Sequence, residues 1–121
     1  MTGKRWKAYA LMGQERWNAH RERHPELVPD LSDMDLSTEN LEGFNLQHAV
    51  LKNANLAMAN LSNADLSNAD LTGANLSRAD LAGALLKGTV LTGTNLYAAF
   101  MAGADLTGAE AEEANMFAVK R

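Results

Sequence analysis

The sequence predicts an all-β solenoid, and two regularities carry this prediction. A leucine stands at every fifth position from Leu31 to Leu96, and apolar or small residues continue in the same phase to Met116. Two residues before each of these centres, alanine holds twelve of eighteen positions, and Asp or Asn dominates the position between the two. A pattern of this length in one register indicates a repeat architecture.

A period of five fits short strands and does not fit a helix. Five residues advance about 500° around a helix axis, so the leucines would scatter over all its sides. In a strand, residues two apart share a face, so the Ala and Leu of each unit point inward and the Asp or Asn between them points outward. The other two residues of each unit are typical of turns. Each unit is therefore a short strand and a corner, which must stack on copies of itself.

Units such as ANLAM, ADLSN, ADLTG and ANLSR resemble those of the pentapeptide-repeat family, in one register over residues 29–118. This resemblance implies a right-handed, four-sided parallel β-helix with four pentapeptides per turn, or about 4.5 coils. The chain then divides into an N-terminal helical cap at residues 1–28, the β-helix at residues 29–118 and a C-terminal tail at residues 119–121.

The residues before the repeat predict two short helices. Residues 2–12 have an apolar side, Gly13 is a break, and the stretch from Gln14 to Arg23 is rich in helix formers. The second helix is expected to end at His24, because a residue that precedes proline avoids the helical region.

The same segment resembles the leader that often precedes pentapeptide tracts, a helix around a Trp-Asn pair. A solenoid needs such a cover, because its first coil presents unpaired backbone and a disc of leucines to water. We expect Trp17 to provide the cap packing over that disc. Glu39 occupies an inward position of the first coil, where an unpaired carboxylate is costly. Either the coil opens there toward the cap, or an arginine of the leader meets Glu39.

Composition fits one small soluble domain, with 121 residues, 46% of them apolar, and no apolar stretch of membrane-spanning length. The absence of cysteine excludes disulfides, thiolate zinc sites and cysteine nucleophiles. The N-terminus has no continuous apolar signal region. A cytoplasmic location without membrane contact is therefore expected.

Charge is unevenly divided along the chain. Residues 1–28 carry six basic and three acidic residues, whereas residues 29–121 carry five basic and twelve acidic residues. We interpret this as a basic cap on an acidic rod in preference to a nucleic-acid-binding arm. Trp6, Tyr9 and Trp17 are likewise interpreted as cap packing in preference to a base-stacking platform, so no nucleic acid is expected as a partner.

The repeat sequence does not predict a ligand pocket or a catalytic site. An interior of alternating Ala and Leu leaves no concave pocket, and the outward aspartates are generated by the repeat itself. His20 and His24 have the spacing of zinc ligands on a helix, but no third ligand is apparent nearby. We therefore expect no catalytic residue, cofactor or metal, and no enzyme.

Apolar residues replace the expected polar ones in the C-terminal half of the tract. Leu85, Val90 and Phe100 stand where Asp or Asn is expected. Tyr97 and Phe117 lie twenty residues apart, so their rings are expected to stack. Since contiguous exposed apolar groups mark contact sites, we interpret these five residues as an interaction patch. The alternative is that the last residues fold back over them as a helix; continued coil is favoured.

The sequence supports two hypotheses about function. The first is a structural or protein-interaction module with an unknown protein partner, which includes a weak homodimer through the C-terminal half. The alternative, implied by the family resemblance, is a DNA mimic that binds DNA gyrase or another type II topoisomerase. The short, uninterrupted tract and its mixed outward columns favour the first.

Overall fold

Two helices precede the repeat. The computed structural model describes the backbone of residues 3–121 and the side chains from residue 5 onward. Helix α1 spans Gly3–Leu11 and helix α2 spans Gln14–Arg23. Gly13 separates them with a φ of 98°, a value that favours glycine. The bounds of α2 match those expected from its helix formers and from the proline that follows.

The rest of the chain is a β-helix built from single-residue bridges. Parallel bridges join residues twenty apart, from Asp30 with Val50 to Phe100 with Lys120, and every fifth residue between them takes part. None of the described strands is longer than one bridging residue, because each pentapeptide turns a corner before a second pair forms. A unit of five and a bridge spacing of twenty place four bridge columns around the coil, one on each side.

Most corners use an Asp or Asn that precedes the leucine or its equivalent. The side-chain oxygen accepts a hydrogen bond from the backbone N–H two residues later, as in the 3.0 Å bond from the N–H of Ser67 to Asp65. The next residue turns the chain with a positive φ, for example 60° at Asn68. Glycine takes this turning position in several units, for example Gly43 and Gly73. The polar residue therefore closes the corner as well as facing outward.

The interior is the expected alternation of Leu and Ala. The repeat leucines from Leu31 to Leu96 are at most 2% exposed. Thr89 and Thr94 replace inward alanines and are also buried, and their hydroxyls donate to the C=O groups of the leucines at 66 and 71 at 2.7 Å. These bonds remove the cost of burying two hydroxyl groups.

The repeat geometry continues to Lys120, whose N–H donates to the C=O of Ala99 at 2.9 Å. Residues 107–121 therefore extend the coil, and the expected tail at 119–121 belongs to the last turn as far as Lys120. Burial is less complete here, since Leu106 and Met116 are only partly buried.

Candidate interaction surfaces

Side chains of α2 occupy the hydrogen-bonding edge of the first turn. From the second turn of the β-helix onward, the C=O of a bridging residue accepts from the N–H of a repeat leucine, or of Met101, in the turn before it. The C=O of Asn45 accepts instead from Trp17 Nε1 at 2.7 Å and Arg21 Nη1 at 2.9 Å. Arg21 Nη2 donates to the C=O of Gln47 at 2.8 Å, and the N–H of Asn45 donates to Asn18 Oδ1 at 2.7 Å. At this side of the coil, α2 therefore replaces the bonds of a preceding turn.

Trp17 of α2 packs between helix α1 and the first turn of the coil. It is fully buried and stacks on Phe44, with ring centroids 5.4 Å apart, and it contacts Trp6 at the same centroid distance. The contribution of Arg21 was not anticipated from the sequence. Its spacing of four from Trp17, which places both on one side of a helix, is the signal that was available.

The buried guanidinium of Arg21 is partly compensated. Arg21 is 8% exposed, and its burial lowers the pKa of the guanidinium, while the nearby Asp65 carboxylate raises it. Its Nε atom is buried without a hydrogen-bond partner among the described residues. The two Nη groups therefore provide the bonds that hold this cation against the coil.

His20 belongs to an aromatic cluster formed by residues of both helices. Its ring stacks on Tyr9 at a centroid distance of 4.0 Å and lies 4.8 Å from the ring of His24. Burial, followed by the charges of His24 and Arg23, lowers the pKa of His20. Across the described part of the chain, no group of three or more His, Cys, Asp or Glu side chains is arranged to hold a metal ion.

Of the five residues expected to form a patch, the structure brings only Tyr97 and Phe117 together. Their rings are stacked, with centroids 6.0 Å apart and planes at 14°. The guanidinium of Arg78 lies over the Tyr97 ring, 5.3 Å from its centroid. We call Arg78, Tyr97 and Phe117 the aromatic column.

Leu85, Val90 and Phe100 lie in three other bridge columns. Leu85 bridges Asp65 and Asp105, Val90 bridges Asp70 and Glu110, and Phe100 bridges Asp80 and Lys120. Lys120 also lies over the Phe100 ring, 4.7 Å from its centroid. The expectation of one contiguous patch is therefore corrected, because steps of five residues distribute these side chains over different sides of the coil.

Two concave surfaces lie at the helices. A groove of about 680 Å³ is lined mainly by α2, including Arg16, His20 and Arg23. A smaller notch of about 230 Å³ lies between the interhelical turn and the first turn of the coil, where Glu39 and Glu42 line it. Glu39 is partly buried and faces this notch, so of the two arrangements expected for it, the coil opens toward the helices.

Comparison with known families identifies the repeat. The family model described as pentapeptide repeats matches in eight copies over residues 35–73 and 74–110, which is more than half of the chain. The chain belongs to the pentapeptide repeat family. No curated protein sequence matches it. Neither of the described helices has the length and apolar composition that a membrane-spanning helix needs.

Solved structures of other family members are similar to this one. The repeat protein Rfr23 from the cyanobacterium Cyanothece 51142 is 39% identical, with a TM-score of 0.71 over 72% of this chain and 59% of that one. HetL from the cyanobacterium Nostoc sp. strain PCC 7120, which is involved in heterocyst differentiation regulation, is 38% identical, with a TM-score of 0.65 over 68% and 38%. A protein of the Arabidopsis thaliana thylakoid lumen is 35% identical, with a TM-score of 0.72 over 74% and 63%. The present chain thus spans less than two thirds of each of these relatives.

Proposed function

We propose that this protein is a non-enzymatic protein-interaction module, a β-helix of about 4.5 coils with a helical cap, whose contact surface is the aromatic column. The observation that carries the proposal is the exposure of Phe117, which is 71% accessible although it stacks on Tyr97. Aromatic side chains with an adjacent arginine are the groups most often responsible for binding energy at protein interfaces. A cytoplasmic location stays a prediction from the sequence.

The rest of the same column supports a role in contact rather than in folding. Ser37, Ala57 and Ser77 occupy the equivalent positions in the preceding turns, so small residues satisfy the fold there. Large rings at this position extend the surface outward without entering the core. The ring stack and the Arg78 guanidinium hold the two side chains in place, which lowers the entropy lost on binding.

The partner we propose for this surface is a second copy of the chain. One narrow side of a rod is self-complementary when two copies meet about a two-fold axis, since each aromatic column can then pack on the other. The area available on one side is small, so the expected homodimer is weak and concentration-dependent.

Sedimentation velocity over a concentration series tests the homodimer. The wild type is expected to associate, and the double variant Tyr97→Ser, Phe117→Ser is expected to stay monomeric. Serine at positions 37 and 77 of the same column shows that the substitution suits the fold. Phe100→Ser is the matched control, because Phe100 is also an exposed ring but lies on another side. A wild type that stays monomeric at high micromolar concentration refutes the homodimer.

The DNA-mimic alternative has less support from the outward columns. A mimic needs rows of negative charge, but each bridge column here mixes acids with Asn, Val, Leu, Phe or Lys. Lys52 lies 3.6 Å from Asp70, and Lys87 lies 3.8 Å from Asp105, which offsets two of the acids. A DNA supercoiling assay with gyrase separates the two functions: inhibition or protection of gyrase at stoichiometric protein would favour the mimic.

A further inference from the structure

Arg21 shows which chemical group fits the edge of the first turn. Its guanidinium donates through two nitrogens to two backbone carbonyls, those of Asn45 and Gln47, at 2.9 and 2.8 Å. These two residues flank one leucine of the repeat, so their C=O groups point the same way, toward the helices. A planar group with parallel N–H donors matches such a pair of acceptors.

The preceding pentapeptide presents the same pair of carbonyls. Asn40 and Glu42 stand five residues before Asn45 and Gln47 and occupy the same positions of the repeat. In both units the later residue donates its N–H to the asparagine side chain at 3.1 Å. The leucine between them donates its N–H to the turn below in both units. Among the described residues, no donor reaches the C=O of Asn40 or of Glu42.

This second carbonyl pair lies at the notch between the interhelical turn and the coil. Its walls include Leu11 and Phe44, and the carboxylates of Glu39 and Glu42 add negative charge. No described Lys, Arg or His lies within ion-pair distance of either carboxylate. Glu39 stands at a position that alanine occupies in the next three turns, so the fold itself does not require a carboxylate there. The notch therefore combines open acceptors with uncompensated negative charge.

We propose that the notch is a binding site for the guanidinium group of an arginine side chain from a partner protein. The guanidinium donates to the carbonyls of Asn40 and Glu42 as Arg21 does to the next pair, and Glu39 balances its charge. A lysine ammonium lacks the planar fork that spans two carbonyls. The volume of about 230 Å³ holds one side chain and is below the usual range for small-molecule pockets.

This site lies beside the helices and is independent of the aromatic column. An arginine bound here adds a second contact to the interaction role proposed above. The site can bind its probe in a monomer, so failure of the homodimer leaves this proposal testable, and failure of this proposal leaves the homodimer untouched.

Chemical-shift titration of the full chain by NMR tests the site with a defined probe, Nα-acetyl-arginine N-methylamide. Shift changes are expected at residues 10–14 and 39–44, which line the notch. The citrulline analogue, which has nearly the same shape without the charge, and the lysine analogue are expected to bind at least about tenfold more weakly. Glu39→Ala is expected to weaken binding of the arginine probe by about tenfold, and it places the ordinary repeat residue at that position.

Glu112→Ala is the matched control, because it removes one exposed carboxylate of the last turn and changes the net charge equally. It is expected to leave binding of the probe unchanged. The proposal is overturned if the arginine probe produces no shifts, or if shifts spread over the acidic sides of the rod. Equal binding of the three probes, or equal effects of the two substitutions, would also overturn it.

Discussion

Replacing Arg21 with alanine tests whether α2 stands in for a missing turn of the β-helix. The guanidinium donates to the carbonyls of Asn45 and Gln47. A hydrogen bond with a charged partner contributes about 1.5–3 kcal/mol to stability. The carbonyl of Asn45 keeps its bond from Trp17, so the main loss is the single bond to Gln47. We expect the free energy of unfolding to fall by about 1.5–3 kcal/mol.

Urea unfolding followed by far-ultraviolet circular dichroism measures this loss, and hydrogen exchange localises it. Faster exchange is expected at the N–H of Asn45, which donates to Asn18 and depends on the docking of α2. Arg21→Lys is expected to be intermediate, since an ammonium does not reproduce the two-nitrogen fork.

Arg23→Ala provides the control on the same helix, because Arg23 is exposed. Its effect is expected to stay within about 0.5 kcal/mol. Equal losses for Arg21→Ala and Arg23→Ala would refute the reasoning. Helices α1 and α2 would then be held to the coil by Trp17 and its aromatic neighbours, and the hydrogen bonds of Arg21 would contribute little to stability.

Three further predictions concern the repeat. Leu66→Ala, at a fully buried position, should cost about 2–5 kcal/mol. Asp80→Asn should change the free energy of unfolding by no more than about 0.5 kcal/mol, because asparagine accepts the same corner bond from the N–H of Ala82; equal effects of the two substitutions in urea unfolding would contradict the register. Hydroxyl and then backbone hydrogen bonds lower the pKa of Asp35 and Asp105 below 3.8, so the folded state binds protons less readily than the unfolded state. The two ionised carboxylates therefore stabilise the folded state at pH values above 3.8, and this stabilisation is lost as the pH falls through their lower pKa values in the folded state. The melting temperature should decrease over that acidic range, and an increase would contradict this prediction. Leu85→Asn should add a corner bond and raise the free energy of unfolding by about 0.5–1.5 kcal/mol in the same assay, and a decrease would show that Leu85 supports the fold.

The repeat pattern determined most of the architecture in advance. The leucine period predicted the buried series from Leu31 to Leu96, and because a strand places residues two apart on one face, the alanines from Ala49 onward were predicted to share that interior. The break at Gly13 and the proline after His24 were enough to bound α2, since both act through local backbone geometry.

The bonds at the edge of the first turn were not predictable in the same way. Arg21 lies in the sequence QERWNAHRER, where charged residues on every side suggest a solvated helix. Its role arises only because the carbonyls of Asn45 and Gln47 have no preceding turn, which is a property of the assembled coil. The corner hydrogen bonds of Asp and Asn were also not predicted from the sequence, because the alternation of inward and outward residues in a strand assigns these side chains only to the outer face.

The apolar residues in the C-terminal half of the repeat show that closeness in sequence does not predict closeness on the surface of the coil. A step of five residues moves a side chain to the next side of the rod, and only a step of twenty returns it to the same side. Tyr97 and Phe117 obey the second rule and stack, whereas Leu85 and Phe100 follow the first and lie apart. Leu85 and Phe100 are 41% and 45% exposed, and neither closes its corner as Asp or Asn does. Both side chains lack the corner hydrogen bond of Asp or Asn, and their burial is too small to replace its contribution to stability. Folding of the single chain therefore does not account for Leu85 and Phe100. Because they lie on different sides of the coil, the role of each must be tested by its own substitution.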